Sequence, residues 1–377
     1  MIKLPDFKLE THFSKWEFKA KYHMTASDAE SMSLKDLLAM ASDTERDEFE
    51  NLWLGYTETF GAPDVRQAIA ETYTHQTADD ILCFAGASEG IFAANSVILD
   101  KSSHAIVVTP NYQSHESLPE AICGVSAVAL DPNDGWSLDI DDVAKAIRPN
   151  TKLLTINFPH NPTGAILSPD RYEALIALCR KHGIYILHDE IFNGLGSSTT
   201  EHLPFVADMY ERGLSLNVMS KAYGLPGLRL GWIACKDHEV LSKMERMKHY
   251  LSISNSAPSE RLTKIGLRNR DRILARNCSI VDKNLPKWDA FFSRYADLFE
   301  WKRPDGSCTA FPKYTGQDGV ERFTQKLINE SGVLLLPGSL YQSALGNTTA
   351  DHFRLGYGRK NLDEGLDVLD AHMKKHY

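Results

Sequence analysis

The sequence predicts an α/β protein: a mostly parallel central sheet with helices on both faces. Three observations carry this. From Asp80 onward, short apolar runs alternate with stretches of helical period, the mark of repeated strand-helix units. Several runs close on turns built for sharp chain reversal, among them Gly86-Ala87-Ser88-Glu89-Gly90 and Pro159-His160-Asn161-Pro162-Thr163-Gly164. The length, 377 residues, exceeds that of a usual single domain, so two domains sharing a large core are expected. Hydrophobic residues at 43% and charged residues at 24% are ordinary for a globular chain. A formal net charge of −9 argues against a nucleic-acid surface or a polybasic membrane patch. Six cysteines without a Cys-x-x-Cys pair fit neither a zinc framework nor a secreted disulfide scaffold. The first residues form no apolar leader and no long uncharged apolar run follows, so a cytoplasmic protein is expected. The sequons at Asn277, Asn329 and Asn347 then read as chance matches.

In chain order, Phe13, Trp16 and Phe18 interleaved with Lys15, Glu17 and Lys19 predict a short amphipathic opening helix. Ser33 to Met40 predicts a second, with Ser33 as N-cap and Asp36 at the box position. This segment is expected to be an arm, packing on another subunit or on the smaller domain. Leu54 to Pro63 is a turn-rich bridge into a helix beginning near Pro63-Asp64. Strands follow at 81–85, 105–109, 125–130 and 152–158, with a helix at 91–99 after the first. Ser168 and Pro169 take N-cap and N1 positions of a helix that ends at Gly183. A buried strand at 184–187 runs into His188-Asp189-Glu190-Ile191-Phe192. Beyond Trp232 come a strand to Cys235, a helical stretch broken around 252–258, and a long helix over about 268–294. Strands are expected at 306–312, 333–336 and 352–358.

The chemistry centres on Ser220-Lys221 and Arg229-Leu230-Gly231, inside an apolar, glycine-rich run. A lysine among such neighbours is poorly solvated, which favours its neutral, nucleophilic amine and hence a Schiff base with a carbonyl cofactor. The arginine offers a fork of donors to a phosphate. An aldehyde and a phosphate are the two ends of pyridoxal 5'-phosphate (PLP). The small-residue turn at Gly86 leaves backbone N–H groups at a helix start, where an anion is favoured. It is neither Gly-x-Gly-x-x-Gly nor a Walker loop.

These motifs, in this order over residues 50 to 360, resemble the class I/II aminotransferases, the fold-type I PLP enzymes. The resemblance implies a large PLP-binding domain at 49–267, a smaller α+β domain at 268–377, and residues 1–48 as an arm and part of the small domain. It implies a homodimer with Tyr56, in Gly55-Tyr56-Thr57, reaching the partner's cofactor phosphate. Gly86, Ala87, Ser88, Ser220 and Arg229 would hold the phosphate in the chain's own site. Tyr112 would stack on the ring and Ile191 pack behind it. Asn161, in Asn-Pro-Thr-Gly, would donate to the ring's 3-oxygen, and Asp189 would pair with the ring nitrogen, keeping it protonated. Lys221 would be the Schiff-base lysine and general base, and Arg354 would fork onto the substrate carboxylate, with Asn161 beside it. The implied reaction is transfer of the α-amino group of an L-amino acid to a 2-oxo acid. No metal is implied, and His160 is expected to serve its turn.

Three positions depart from the pattern. Phe192 stands where relatives carry a tyrosine that bonds the 3-oxygen, Val218 where many carry serine, and the first 54 residues lack the glycine often found near the substrate carboxylate. Other PLP chemistries stay open. One is an elimination lyase. Another follows from Lys15-Trp16-Glu17 and Phe192, which resemble the O2-using PLP arginine oxidases and capreomycidine-type cyclases; there Glu10, Glu17, Asp28 and Glu30 would meet a guanidinium. A PLP-binding regulator would need a helix-turn-helix domain that this chain lacks.

Overall fold

The computed structural model describes residues 3–346 and 350–377; the first two residues and the Asn347 sequon lie outside the described residues. Seven strands form the main sheet: β1 (Ile81–Phe84), β2 (His104–Thr109), β3 (Gly124–Ala129), β4 (Thr151–Asn157), β5 (Tyr185–Asp189), β6 (Gly213–Val218) and β7 (Gly231–Ala234). Their spatial order is β1-β7-β6-β5-β4-β2-β3. All pairings are parallel except those of β7, which runs antiparallel to both neighbours. Every residue of β1, β2, β6 and β7 is buried, because helices cover both faces and no alternation is needed. Only the edge strand β3 is largely open to solvent.

Register fixes what meets at the carboxyl edge. Asn157 lies opposite Asp189, Asp189 opposite Leu216, Val218 opposite Gly231, and Gly231 opposite Phe84. Ligands of open α/β sheets bind at this edge.

The helix Pro169–His182 has the caps its sequence dictates: Ser168 accepts from the Arg171 N–H, and Gly183 ends it at φ 67°. Ser33 likewise caps Leu34–Leu38. Elsewhere the structure corrects the sequence reading. The opening helix is Lys8–Trp16, leaving Phe18 outside it and exposed. Helix Ala87–Ile98 begins four residues before the expected Ile91, so Ala87 and Ser88 lie in its first turn. A helix at Asp43–Glu50, with a Ser42–Glu45 capping box, has almost no apolar face and so carries no periodic signal. The chain ends in a further helix, Leu362–His376, beyond the last expected strand.

The strands beyond the main sheet are shorter than expected. Thr309–Ala310, Phe353–Gly356 and Leu336–Pro337 form a three-stranded antiparallel unit. Phe353–Gly356 is buried throughout rather than alternating. Tyr22–His23 pairs in parallel with Val333–Leu334, tying the N-terminal segment to this unit. Asn277 is buried and donates to the Ala222 carbonyl. Among the described residues no helix is long and apolar enough to cross a membrane.

Candidate active site

Lys221 follows β6 directly. It is half-buried, and its Nζ donates to Ser27 Oγ at 3.1 Å. Its carbonyl accepts from the N–H of Ala29 and of Gly224, so the loop is fixed to the N-terminal segment. Gly224 has φ 66°, and a Cβ there would lie 2.7 Å from the Glu30 carbonyl oxygen. The position needs glycine both for its backbone and for this close approach.

Asp189, at the end of β5, is buried. Its Oδ2 lies 2.8 Å from His115 Nε2, and its Oδ1 accepts from the Ile191 N–H. Asn157 spans the neighbouring turn: its Nδ2 donates to the Asp189 carbonyl and its Oδ1 accepts from the Asn161 N–H. His160 serves this turn, as expected. Its Nε2 faces the Pro110 carbonyl, so that nitrogen carries the proton, and Nδ1 accepts from Thr163. Burial pushes its pKa down to about 3.

At the other end of the edge, Gly86 caps helix Ala87–Ile98 with no side-chain bond to the first turn. Gly86 has φ 95°, and a Cβ there would lie 2.7 Å from Arg229 Nη2. The arginine fork and the helix start therefore adjoin, with only hydrogen on Gly86 to separate them. Arg229 itself is exposed and left-handed, at φ 48°, a conformation of sparse population that clusters at functional sites.

Tyr112 follows β2. Its hydroxyl donates to Glu10 Oε1 at 2.8 Å, it has Ser88 as a further hydrogen-bond neighbour, and its ring packs on Phe7. Burial, then the Glu10 charge, raises its pKa. Arg354 is almost fully buried: Nη1 donates to Asn161 Oδ1 at 3.1 Å, Nη2 to the Thr25 carbonyl at 2.8 Å, and Nε to Thr25 Oγ1 at 3.3 Å. Because Arg354 occupies the Asn161 oxygen, the Asn161 NH2 group is left to donate elsewhere.

The sheet edge thus gathers Lys221, Ser220, Asp189, Ile191, Asn161 and Arg354, with the Gly86–Ser88 turn, Arg229 and Tyr112. Tyr56 is not among them; it is 87% exposed, near exposed Trp53 and Leu54. Phe192 and Val218 are buried in the apolar cluster that includes Trp288 and Phe292.

Residues not singled out from the sequence also take part: His115, Asn157, Thr25 and Ser27. His115 sits in the first turn of the helix Ser114–Glu120, three residues after Tyr112, a closeness in sequence that marks it; Thr25 and Ser27 carry no such signal. Of the four acidic residues set aside for a guanidinium, Glu10, Glu17 and Asp28 gather. Burial raises the pKa of Glu17, Glu10 and Asp28 add to this, and Lys221 opposes it. Glu30 instead accepts from the Lys360 N–H.

This constellation fits PLP. A helix start beside an arginine suits the phosphate, the half-buried lysine the aldehyde, and the buried carboxylate the ring nitrogen. The layout is that of a fold-type I PLP-dependent enzyme. The family model for aminotransferase class I and II matches residues 26–369, and the chain belongs to that family. Capreomycidine synthase of Streptomyces vinaceus is 26% identical, over 99% of this chain and 95% of that protein. An arginine–pyruvate transaminase of Pseudomonas aeruginosa is 28% identical, over 80% and 77%. A solved PLP-dependent aminotransferase of Streptococcus suis superposes with a TM-score of 0.92 at 27% identity, covering 100% of this chain and 99% of that one. The protein is a PLP-dependent aminotransferase.

Proposed function

We propose that Lys221 carries the cofactor and moves the substrate's Cα proton in transfer of the α-amino group from an L-amino acid to a 2-oxo acid. The observation that carries this reading is the meeting of Lys221, buried Asp189 and the Asn161–Arg354 pair at one sheet edge. When bound, PLP supplies the sink for the electron pair left at Cα. Arg354 would hold the substrate α-carboxylate and so point Cα at Lys221 Nζ, which would take the proton and return it two bonds away, across the substrate nitrogen. Ser27 Oγ accepts from the free Lys221 amine and would orient it for that proton transfer. Asp189, held by His115, would pair with the ring nitrogen. Asn161 NH2 donates to the 3-oxygen, alone in this because Phe192 has no hydroxyl. Gly86, Ala87, Ser88, Ser220 and Arg229 would hold the phosphate, and Tyr112 and Ile191 would flank the ring.

The same reading divides the chain into an arm, a large PLP-binding domain and a C-terminal small domain. It makes the protein a homodimer in which Tyr56 completes the partner's phosphate site, supported by the exposure of Trp53, Leu54 and Tyr56. Six free cysteines suit the reducing cytoplasm.

A second reading concerns the substrate's side chain. Glu17 puts negative charge near Lys221, with Glu10 and the Arg359-paired Asp28 close to it, which suits a basic amino acid such as L-arginine in oxidase or cyclase chemistry.

The deciding experiment mixes PLP-loaded enzyme with single amino acids and no oxo acid. A stoichiometric stop at the amine form of the cofactor is expected, absent in Lys221→Ala. Continuing ammonia release, with or without oxygen uptake, would overturn the transaminase reading.

A further inference from the structure

The C-terminal helix Leu362–His376 carries His372 and His376 one turn apart, and helix Val320–Ser331 brings Glu330 beside them. We propose that Glu330, His372 and His376 form a binding site for a divalent transition-metal ion, with Zn2+ the best match, that clamps these two helices together. Neither helix contributes a residue to the site around Lys221.

The spacing i, i+4 puts both imidazoles on one helix face, and their ring centroids are 4.5 Å apart. One ligand atom from each of the three residues lies within 4.8 Å of the others. Glu330 Oε2 is 2.7 Å from His376 Nε2 and 4.0 Å from His372 Nδ1, the nitrogen of that ring which is not assigned to the ion. Donors at about 2.0–2.2 Å from a tetrahedral ion stand roughly 3.3–3.6 Å apart, so ligand atoms within 4.8 Å of one another need shifts of about an ångström to close on it.

The unsatisfied nitrogens point the same way. His372 is 4% exposed, and its Nε2 has no hydrogen-bond partner. Its Nδ1 lies 2.9 Å from Ser331 Oγ. A proton on Nδ1, donated to that hydroxyl, leaves a lone pair on Nε2; metal-binding imidazoles are oriented in this way. His376 Nε2 also makes no hydrogen bond, so its closeness to Glu330 is not a directional pairing. Lys326 and Lys375 are the nearby cations that oppose binding. Two imidazoles and a carboxylate suit Zn2+, with water in the fourth position, whereas Mg2+ and Ca2+ prefer all-oxygen sites.

The test uses the untagged full chain, PLP-loaded and freed of metal by a chelator, titrated calorimetrically with Zn2+. One ion per chain is expected, with a raised melting temperature. His376→Gln and Glu330→Gln, away from the Lys221 site, should each weaken binding at least ~10-fold and leave metal-free transamination unchanged. No saturable binding, equal binding by Mg2+, or affinity unmoved by both substitutions would overturn the site.

Discussion

Arg354 and Arg229 are both assigned to anions, yet the fold treats them in opposite ways. Arg354 is 1% exposed, and Nε, Nη1 and Nη2 all donate within the chain, to Thr25 and Asn161. Arg229 is exposed, and its guanidinium meets the Pro226 carbonyl only at 3.5 Å. A buried guanidinium must have its donors satisfied by protein, or its desolvation is uncompensated. An exposed one can be served by water until an anion displaces it. On the proposed assignment, the substrate-carboxylate end is fixed by the chain's own hydrogen bonds, and the phosphate end is not. The difference matters because pre-built geometry lowers the ordering cost of each catalytic cycle, whereas a tightly held cofactor meets that cost once.

The largest effect is expected at the pre-built end. Arg354→Ala removes the substrate's partner and also strands the Thr25 carbonyl and Asn161 Oδ1, both buried. The fall in kcat/KM should be on the order of 10³-fold. Arg354→Lys, which keeps charge without the fork, should lose about 10²-fold. Steady-state kinetics read both, and the bound-cofactor absorbance should survive in both. If either variant stays within a factor of about three of the parent, the contrast between the two arginines fails.

At the open end, Arg229→Gln should raise the PLP dissociation constant about 10- to 100-fold, the worth of one charge-assisted bond. With PLP saturating, kcat should hardly move. Fluorescence titration of the cofactor-free protein measures the first and turnover the second. A loss of kcat at saturation would show that Arg229 is part of the pre-built geometry after all.

The sequence made this edge legible because turn chemistry and strand ends are local. Asn-Pro-Thr-Gly, Asp189 after a buried strand, and Ser220-Lys221 each announce themselves within a few residues. Thr25, Ser27 and His115 do not. They enter by long-range packing: Thr25 and Ser27 cross between the Lys221 loop and the Arg354 strand, and a chain crossing leaves no period to read. The helix at Asp43–Glu50 was missed for another local reason, since capping and polar residues hold it without an apolar stripe. Tyr56 lies at the opposite limit. Its motif is visible in the sequence, but a single chain leaves the side chain in solvent.

Tyr56 gives the smallest effect and the sharpest use of the comparison. If the phosphate end is completed from outside the chain, Tyr56→Phe removes one hydrogen bond contributed by the partner. The PLP dissociation constant should rise about 3- to 10-fold, with no loss of stability in the unassembled chain, because the hydroxyl is exposed there. The penalty should also depend on assembly. Parent and variant should differ at protein concentrations where the dimer persists and converge on dilution into monomer, a pattern that Arg229→Gln must not follow. Cofactor titrations at several protein concentrations, alongside sedimentation to fix the assembly state, separate the two. A Tyr56→Phe penalty that is independent of concentration would place the hydroxyl in its own chain's site and remove the partner from the phosphate end.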